Sequence, residues 1–217
     1  MSEPGARPRL SRERVLEAAS DLADRAGLDA LTMRKLAAEL GVEPMSLYHH
    51  VASKDDILDG MVDRVFGEID LPTPGGAWKP EMRRRAVSAR HVLTRHPWAP
   101  ALMDSRRNPG PATIRHHEAC IATLRRDGFS IPMTAHALSL IDSYVYGFSI
   151  SEAALPMEGP EDLAELSEAI LATHGADHPH VAEFIIEHAL APGYDYGDEF
   201  EWGLDRLLDA LEIAATP

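Results

Sequence analysis

The sequence is poor in cysteine and aromatic residues and has no long apolar run, and each of these features excludes some classes of protein. Among 217 residues there is one cysteine, Cys120, so we expect a reducing compartment and a small, partly buried thiol. Aromatic residues make up 6%, and no apolar run approaches the roughly 18–20 residues that a membrane helix needs. The first ten residues, MSEPGARPRL, lack the apolar core of a secretory signal. These features predict a cytoplasmic protein with no membrane partner.

Positive charge is also scarce, but the shortage is local. The chain carries 21 basic and 35 acidic residues, a net charge of -14. Residues 1–54 hold eight of each kind, whereas residues 55–217 hold 13 basic and 27 acidic residues. A neutral N-terminal segment can approach phosphate groups while an acidic remainder stays away from them. The negative net charge therefore does not exclude a DNA-binding protein.

The hydrophobic pattern is helical along the whole chain, and no run alternates with the period of two that is typical of a strand. We therefore expect an all-α fold. Polar caps, glycines and a helix-starting proline predict four helices in the first part. These are a helix after Ser11 that ends at Gly27, a second from Met33 to Leu40 capped by Thr32, a third from Pro44 to about His50, and a fourth after Ser53 with an apolar stripe from Ile57 to Ile69.

A proline- and glycine-rich break at residues 71–77 predicts a boundary between two domains. We assign residues 1–70 to an N-terminal domain, with the fourth helix as its connector, and residues 71–217 to a C-terminal domain. About six more helices are expected there, together with a segment from His178 to Gly193. The expected helices are Pro80 to Arg95, Trp98 to Met103, Pro111 to Gly128, Pro132 to about Ala154, Leu163 to Thr173 and Asp198 to Ala215.

The second and third helices have the pattern of a helix-turn-helix. Leu36 and Leu47 give the two helices an inward face, and the small Ala37 allows their close approach. Gly41 tolerates the positive backbone angle of a tight turn, and Val42 fills the corner. In such a unit one helix crosses the DNA backbone and the next enters the major groove. The pattern therefore favours a three-helix DNA-binding domain.

Residues 31–58 also resemble the DNA-binding signature of the tetracycline-repressor (TetR) family. The resemblance lies in Leu-Gly-Val at 40–42, Leu-Tyr-His-His-Val at 47–51 and Ser-Lys-Asp-Asp-Ile-Leu at 53–58. Looser motifs extend it to the C-terminal domain of the tetracycline-repressor subgroup, among them His96-Pro-Trp98 and Tyr144-Val-Tyr-Gly147. The resemblance implies a non-enzymatic repressor that binds palindromic operator DNA as a homodimer and is released by a small, largely apolar effector.

The resemblance also assigns roles within the DNA-binding domain. Thr32, Arg34, Tyr48, His50 and Lys54 would contact phosphates, which positions the protein without specifying sequence. Residues at the start and on the outer face of the third helix would contact base edges; these are Glu43, Pro44, Met45, Ser46 and His49.

Several of these assignments leave an alternative open. The tetracycline repressor itself has Gln-Pro-Thr and Trp where this chain has Pro44-Met45-Ser46 and His49, so the operator sequence does not follow from the family. His49 and His50 could be merely a polar helix face, and the Tyr48 ring could be half core. Arg7 and Arg9 could enter the minor groove or belong to a solvated tail.

The remaining chain should supply the dimer contacts and the effector pocket. The helix from Pro132 and the last helix are apolar over much of their circumference, which predicts that a partner covers them, with a monomer of unusually thick core as the alternative. The resemblance implies that two such helices from each subunit form a four-helix dimer interface. Each candidate pocket residue could instead be ordinary core or surface. The candidates are His91, His96, Trp98, Met103, His116, His117, Tyr144 and Phe148.

Other functions have weaker support. His116-His117-Glu118 is a poor metal motif because consecutive helical residues point in different directions, so we expect no metal and no cofactor.

The run Arg83-Arg84-Arg85 is interpreted as a solvated helix face. An activator or a ligand-indifferent regulator of the same fold stays open. A small helical enzyme lacks a phosphate loop, a nucleophile elbow or a metal quartet, and a purely structural protein leaves residues 32–54 unexplained.

Overall fold

The computed structural model describes residues 9–156 and 159–215, and within them it contains helices and no strand, which confirms the all-α prediction. Eleven α-helices fall in these ranges. They are α1 (Arg12–Ala26), α2 (Met33–Leu40), α3 (Pro44–Leu47), α4 (Lys54–Glu68), α5 (Trp78–Arg95), α6 (Pro100–Met103), α7 (Pro111–Arg126), α8 (Ile131–Ala153), α9 (Pro160–His174), α10 (Pro179–Phe184) and α11 (Tyr196–Ala215).

Side-chain caps begin three of the first four helices, as the sequence predicts. Ser11, Thr32 and Ser53 each accept a hydrogen bond from the backbone N–H three residues later, at 3.1–3.3 Å. Such a cap stabilises a helix by about 1 kcal/mol. The start of α1, α2 and α4 is therefore specified by local sequence.

Other boundaries depend on contacts that are distant in sequence. The third helix ends at Leu47 rather than near His50, and residues 48–50 form a turn. Helix α5 begins at Trp78, two residues before Pro80, because the Asp127 carboxylate at the end of α7 accepts from the Trp78 backbone N–H at 2.7 Å. Residues Ile185–Ala189 form one turn of π-helix after α10.

Helix α4 packs against other helices on two of its sides. Its apolar stripe is buried over its whole length, as predicted, and Ile69 lies just past the helix end. The helix packs against α1 on one side and against α5, α6 and α7 on the other. A single hydrophobic cluster runs from Val15 in α1 to Leu211 in α11. The domain boundary near residue 70 remains a prediction.

The interpretation of Arg83-Arg84-Arg85 as a solvated face is wrong for Arg85. This side chain is 1% exposed, whereas Arg83 and Arg84 lie at the surface in ion pairs with acidic residues. Consecutive helical residues point about 100° apart, so a run of three cannot share one face. Arg85 lies on the inner face of α5 with Met82 and Ala89. None of the described helices has the length and apolarity of a membrane span.

Candidate nucleic-acid interface and effector site

Helices α2 and α3 form the predicted helix-turn-helix. Gly41 adopts φ 67°, in the left-handed region that glycine occupies at little cost, and closes α2. The Val42 N–H donates to the Ala37 carbonyl at 3.0 Å, which fixes the turn. Leu36, Ala37 and Leu47 are fully buried, and α2 packs against both α1 and α3.

The opposite side of this unit is open to solvent. Met45 is 72% exposed and Tyr48 is 47% exposed, which agrees with a tyrosine ring that is half packed and half free. The predicted DNA contacts are all exposed or partly exposed; they are Thr32, Arg34, Glu43, Pro44, Met45, Ser46, Tyr48, His49, His50 and Lys54. The structure therefore leaves all ten residues accessible to a partner, and their contact with DNA stays a prediction.

Two cations of this surface are available to phosphates. Within the described residues, Arg34 and Lys54 make no ion pair, whereas Arg12 is bound to Asp56 at 2.5 Å and Arg25 to Glu39 at 3.3 Å. Arg9 is exposed, and Arg7 lies outside the described residues.

Three aspartates of α4 bind the chain that follows α6: Asp55 and Asp59 bind the segment between α6 and α7, and Asp63 binds the first turn of α7. Arg106 donates to Asp59 at 2.6 Å and to the backbone and side chain of Asp55 at 3.1 Å, and Asn108 donates to Asp59 at 3.0 Å. Burial alone would raise the pKa of Asp59, but the hydrogen bonds from Asn108 and Arg106 outweigh it and lower the pKa. Residues at positions i and i+4 share one face of a helix, so Asp55 and Asp59 bind the same partner.

The third aspartate, Asp63, caps α7 from a neighbouring helix. Its Oδ1 accepts from the Thr113 backbone N–H at 2.8 Å and from the Thr113 hydroxyl at 2.9 Å. The N-cap position of α7 is Gly110, which has no side chain to do this. A Cβ at Gly110 would collide with the Asp63 carboxylate, so the glycine leaves the space that the cap occupies.

A second junction joins α1 to the C-terminal part. The Asp24 carboxylate receives the Trp98 indole N–H at 2.6 Å and lies 2.8 Å from His96 Nδ1. The other imidazole nitrogen of His96 lies 3.4 Å from Glu68 at the end of α4. Two of the residues predicted for the pocket, His96 and Trp98, therefore lie at this junction.

The centre of the C-terminal part is unusually polar. Buried Arg85 donates through Nε to His116 Nε2 at 2.9 Å and through Nη1 to Asp142 at 2.5 Å. Burial, assisted by the nearby Arg85 charge, lowers the pKa of His116 to about 3. Cys120 lies beside them fully buried, and burial raises the pKa of its thiol to about 11. We call Arg85, His116, Asp142 and the adjacent buried Tyr146 the polar seam.

A cavity of about 230 Å³ lies between α4, α6 and α7, and its wall includes His117, the residue that follows His116 of the polar seam. Met103, Thr113 and His117 form part of its wall. Asp59, Arg106 and Asn108, which fasten α4, form another part. Asp104 also lines it, and burial and the Asp142 charge raise the pKa of Asp104.

The eight predicted pocket residues fall in four places. Met103, His116 and His117 lie at the cavity or beside it, and His96 and Trp98 lie at the α1 junction. Tyr144 and Phe148 pack between α8 and α11, with Phe148 stacked 5.0 Å from Tyr196. His91 is exposed in a surface groove beside α5. Arg85 is absent from the sequence-predicted site because the arginine run predicts one solvated face, although its spacing from Met82 and Ala89 places it on the inner face.

A metal site is not indicated at His116-His117-Glu118. His116 points into the core, whereas His117 and Glu118 are exposed. Among the described residues, no three side chains of the metal-binding types come together.

Helices α8 and α11 leave an apolar stripe uncovered. Leu140 and Ile150 on α8 are half exposed, and Trp202 on α11 is 69% exposed. The two helices approach closely, because the Tyr144 hydroxyl lies against Gly203 and donates to the Phe200 carbonyl at 3.1 Å. Exposed apolar side chains therefore lie on both of these adjacent helices.

Family models match both parts of the chain. Residues 15–61 match the model described as bacterial regulatory proteins of the tetR family, and residues 71–214 match the tetracyclin repressor-like C-terminal domain. The chain belongs to the TetR family. It is a non-enzymatic transcription regulator with a DNA-binding helix-turn-helix.

Related TetR-family proteins cover almost the whole chain. An HTH-type transcriptional regulator of Saccharopolyspora erythraea is 32% identical over 96% of this chain and 87% of its own length. The HTH-type transcriptional repressor DrrR1 of Streptomyces coeruleorubidus is 33% identical over 96% of this chain and 80% of its own length. The solved structure of ActR from Streptomyces coelicolor with actinorhodin is 25% identical, with a TM-score of 0.76, and covers 96% of this chain and 100% of ActR.

Proposed function

We propose that this TetR-family chain is a ligand-responsive repressor that binds palindromic operator DNA as a homodimer and releases it when a small effector binds. The observation that carries the proposal is the exposed outer face of α2 and α3, flanked by Arg34 and Lys54 without ion pairs among the described residues. Cations that are not neutralised within the protein can release counterions from DNA and so supply affinity. A protein with this role acts in the cytoplasm, where the DNA is.

The uncovered stripe on α8 and α11 supports the homodimer. Large apolar side chains exposed on two adjacent helices are a common feature of protein–protein contact surfaces. Two helices from each subunit would form a four-helix interface around a two-fold axis. A two-fold dimer presents two α3 helices to DNA, which suits an operator whose half-sites lie about 34–36 Å apart.

The cavity beside α4 supports control by an effector. Its volume of about 230 Å³ is below the about 300–1,000 Å³ that is usual for small-molecule sites, so a larger effector must displace part of the wall. That wall includes Arg106 and Asn108, which hold α4 through Asp55 and Asp59. Displacement would loosen α4 and change the spacing of the two α3 helices. The effector acts only through its different affinities for the two arrangements.

Relatives guide the choice of effector and the sign of regulation. One neighbour was solved with actinorhodin and another with minocycline, so we propose a ring-containing, mostly apolar effector for this chain as well. DrrR1 and several other relatives carry the name repressor, which favours repression over activation. An activator of the same fold would increase transcription from its operator in a reporter assay, and a repressor would decrease it.

The DNA-binding surface can be tested with a charge-matched pair of variants. The double variant Arg34→Ala, Lys54→Ala should bind a fluorescent operator duplex more weakly, and its slope of log affinity against log salt should be shallower by about 0.9 per lost phosphate contact. The control, Arg107→Ala with Arg115→Ala, removes the same charge from exposed positions in the C-terminal part. Equal salt slopes for the two double variants would contradict the proposed surface.

A further inference from the structure

The tautomer of His116 follows from its neighbour. A guanidinium group has hydrogen-bond donors and no acceptor, so the contact between Arg85 Nε and His116 Nε2 requires Nε2 to be the acceptor. The low pKa of His116 keeps the ring neutral at physiological pH. A neutral imidazole has one proton, and that proton must therefore be on Nδ1.

The Nδ1–H of His116 is a buried donor without a protein acceptor. The residue is 1% exposed, and Nδ1 finds no hydrogen-bond partner among the described residues. The hydroxyl of Ser149, on the same side of α8 as Asp142 and Tyr146, is buried without a partner as well. Buried polar groups are nearly always hydrogen-bonded in native proteins, so the unpartnered Nδ1–H of His116 indicates a place for an acceptor from outside the chain.

The cavity reaches the immediate neighbours of His116. Thr113 and His117, which line it, lie three residues before and one residue after His116 on α7. Phe66 packs against both imidazoles, with ring centroids 5.2 Å from His116 and 5.5 Å from His117. A planar ring that entered the cavity and displaced Phe66 would meet the polar seam at this point.

The charges of the seam select among polar groups. The Arg85 guanidinium is already paired with Asp142 at 2.5 Å, so the positive charge of Arg85 is already compensated. Asp104 lines the cavity, and the Asp142 charge contributes to its raised pKa, which means that added negative charge is disfavoured here. A carboxylate would meet repulsion, whereas a neutral carbonyl oxygen would accept from Nδ1–H without adding charge.

We propose that the effector carries a neutral ketone or quinone oxygen that accepts a hydrogen bond from the Nδ1–H of His116. The inference rests on the proposed function, since it names the chemical class that the regulatory site takes. His116 of the polar seam binds the oxygen, and Val62 and Met103 in the cavity wall pack against the ring system.

The test uses three probes that share one tricyclic skeleton: fluorenone with a neutral carbonyl, fluorene with no acceptor, and fluorene-9-carboxylate with an anion. Binding to the purified full chain is measured by calorimetry without DNA. Fluorenone should bind about tenfold more tightly than fluorene, as expected for one satisfied buried donor, and the carboxylate should bind most weakly. Equal affinities for fluorenone and fluorene, a preference for the carboxylate, or no binding of fluorenone would overturn the proposal.

Two variants assign the effect to His116. His116→Leu removes the donor and should abolish the preference for fluorenone over fluorene. His116→Gln keeps an acceptor for Arg85 and a donor for the probe, so it should retain part of the preference, and both variants are checked for folding by circular dichroism. A preference that survives in folded His116→Leu would overturn the assignment. Because no DNA is present, failure here is distinguishable from failure to bind an operator.

Discussion

The buried, neutral His116 should make the stability of the protein depend on pH, and the variant His116→Gln should remove that dependence. In the folded protein the pKa of His116 is about 3, and in the unfolded chain it is near 6.5. Below pH 6.5 the unfolded chain therefore binds a proton that the folded protein does not bind. The stabilising contribution is complete above pH 6.5 and is lost as the pH falls towards 3.

The magnitude follows from the two pKa values. One proton bound only by the unfolded state lowers the free energy of unfolding by roughly 1.4 kcal/mol per pH unit. Between pH 6.5 and pH 4.5 the expected loss from His116 is about 2 kcal/mol. Glutamine does not titrate, and its side-chain oxygen can still accept from Arg85 Nε.

Urea unfolding at pH 6.5 and pH 4.5, at one protein concentration, measures the effect. Carboxyl groups such as Asp59 and Glu68 have lowered pKa values in the folded protein, so their protonation in acid also lowers the free energy of unfolding. Their contribution is common to both proteins, so it cancels when the pH dependence of His116→Gln is subtracted from that of the wild type. Identical pH dependence in the two proteins would refute the buried neutral histidine.

Three further perturbations test other parts of the structure. Asp63→Ala removes both hydrogen bonds to Thr113 and should lower the free energy of unfolding by about 1 kcal/mol in urea titrations, and unchanged stability would mean that α7 needs no cap from α4. Gly41→Val places a β-branched residue at φ 67° and should cost about 1–2 kcal/mol, visible as a lower melting temperature; an unchanged value would contradict the turn. Leu140→Arg should convert the proposed dimer to monomer in size-exclusion chromatography with light scattering, whereas Ile114→Arg, at an equally exposed aliphatic position on α7, should not; equal behaviour of the two would argue against the α8 and α11 stripe.

The N-terminal part could be predicted closely because its signals are local. Ser11, Thr32 and Ser53 cap helices through contacts only three residues away, and Gly41 has the positive φ that its place in the pattern requires. The predicted DNA contacts lie within 23 consecutive residues, and the structure leaves all of them exposed or partly exposed. Residue spacing within one helix or one turn is sufficient for such features.

The C-terminal part was predicted less closely because its features depend on contacts between residues that are far apart in the sequence. Asp63 caps a helix that begins 48 residues later, at Pro111, and Asp127 caps the start of α5, so no local pattern points to either contact. The eight pocket candidates share residue type and not position, and the fold separates them. Arg85 is the exception, because helical periodicity alone would have placed it on the buried face.

Selection from a random DNA library with the purified full chain tests the central claim most directly. Bound sequences are recovered at low salt and sequenced, and the selection is repeated after the protein has been unfolded and refolded without small molecules. The account predicts enrichment of a palindrome whose half-sites lie about one helical turn apart, 34–36 Å between centres. Recovery of no enriched sequence from the refolded protein, or of a single half-site without symmetry, would contradict a dimeric operator-binding repressor.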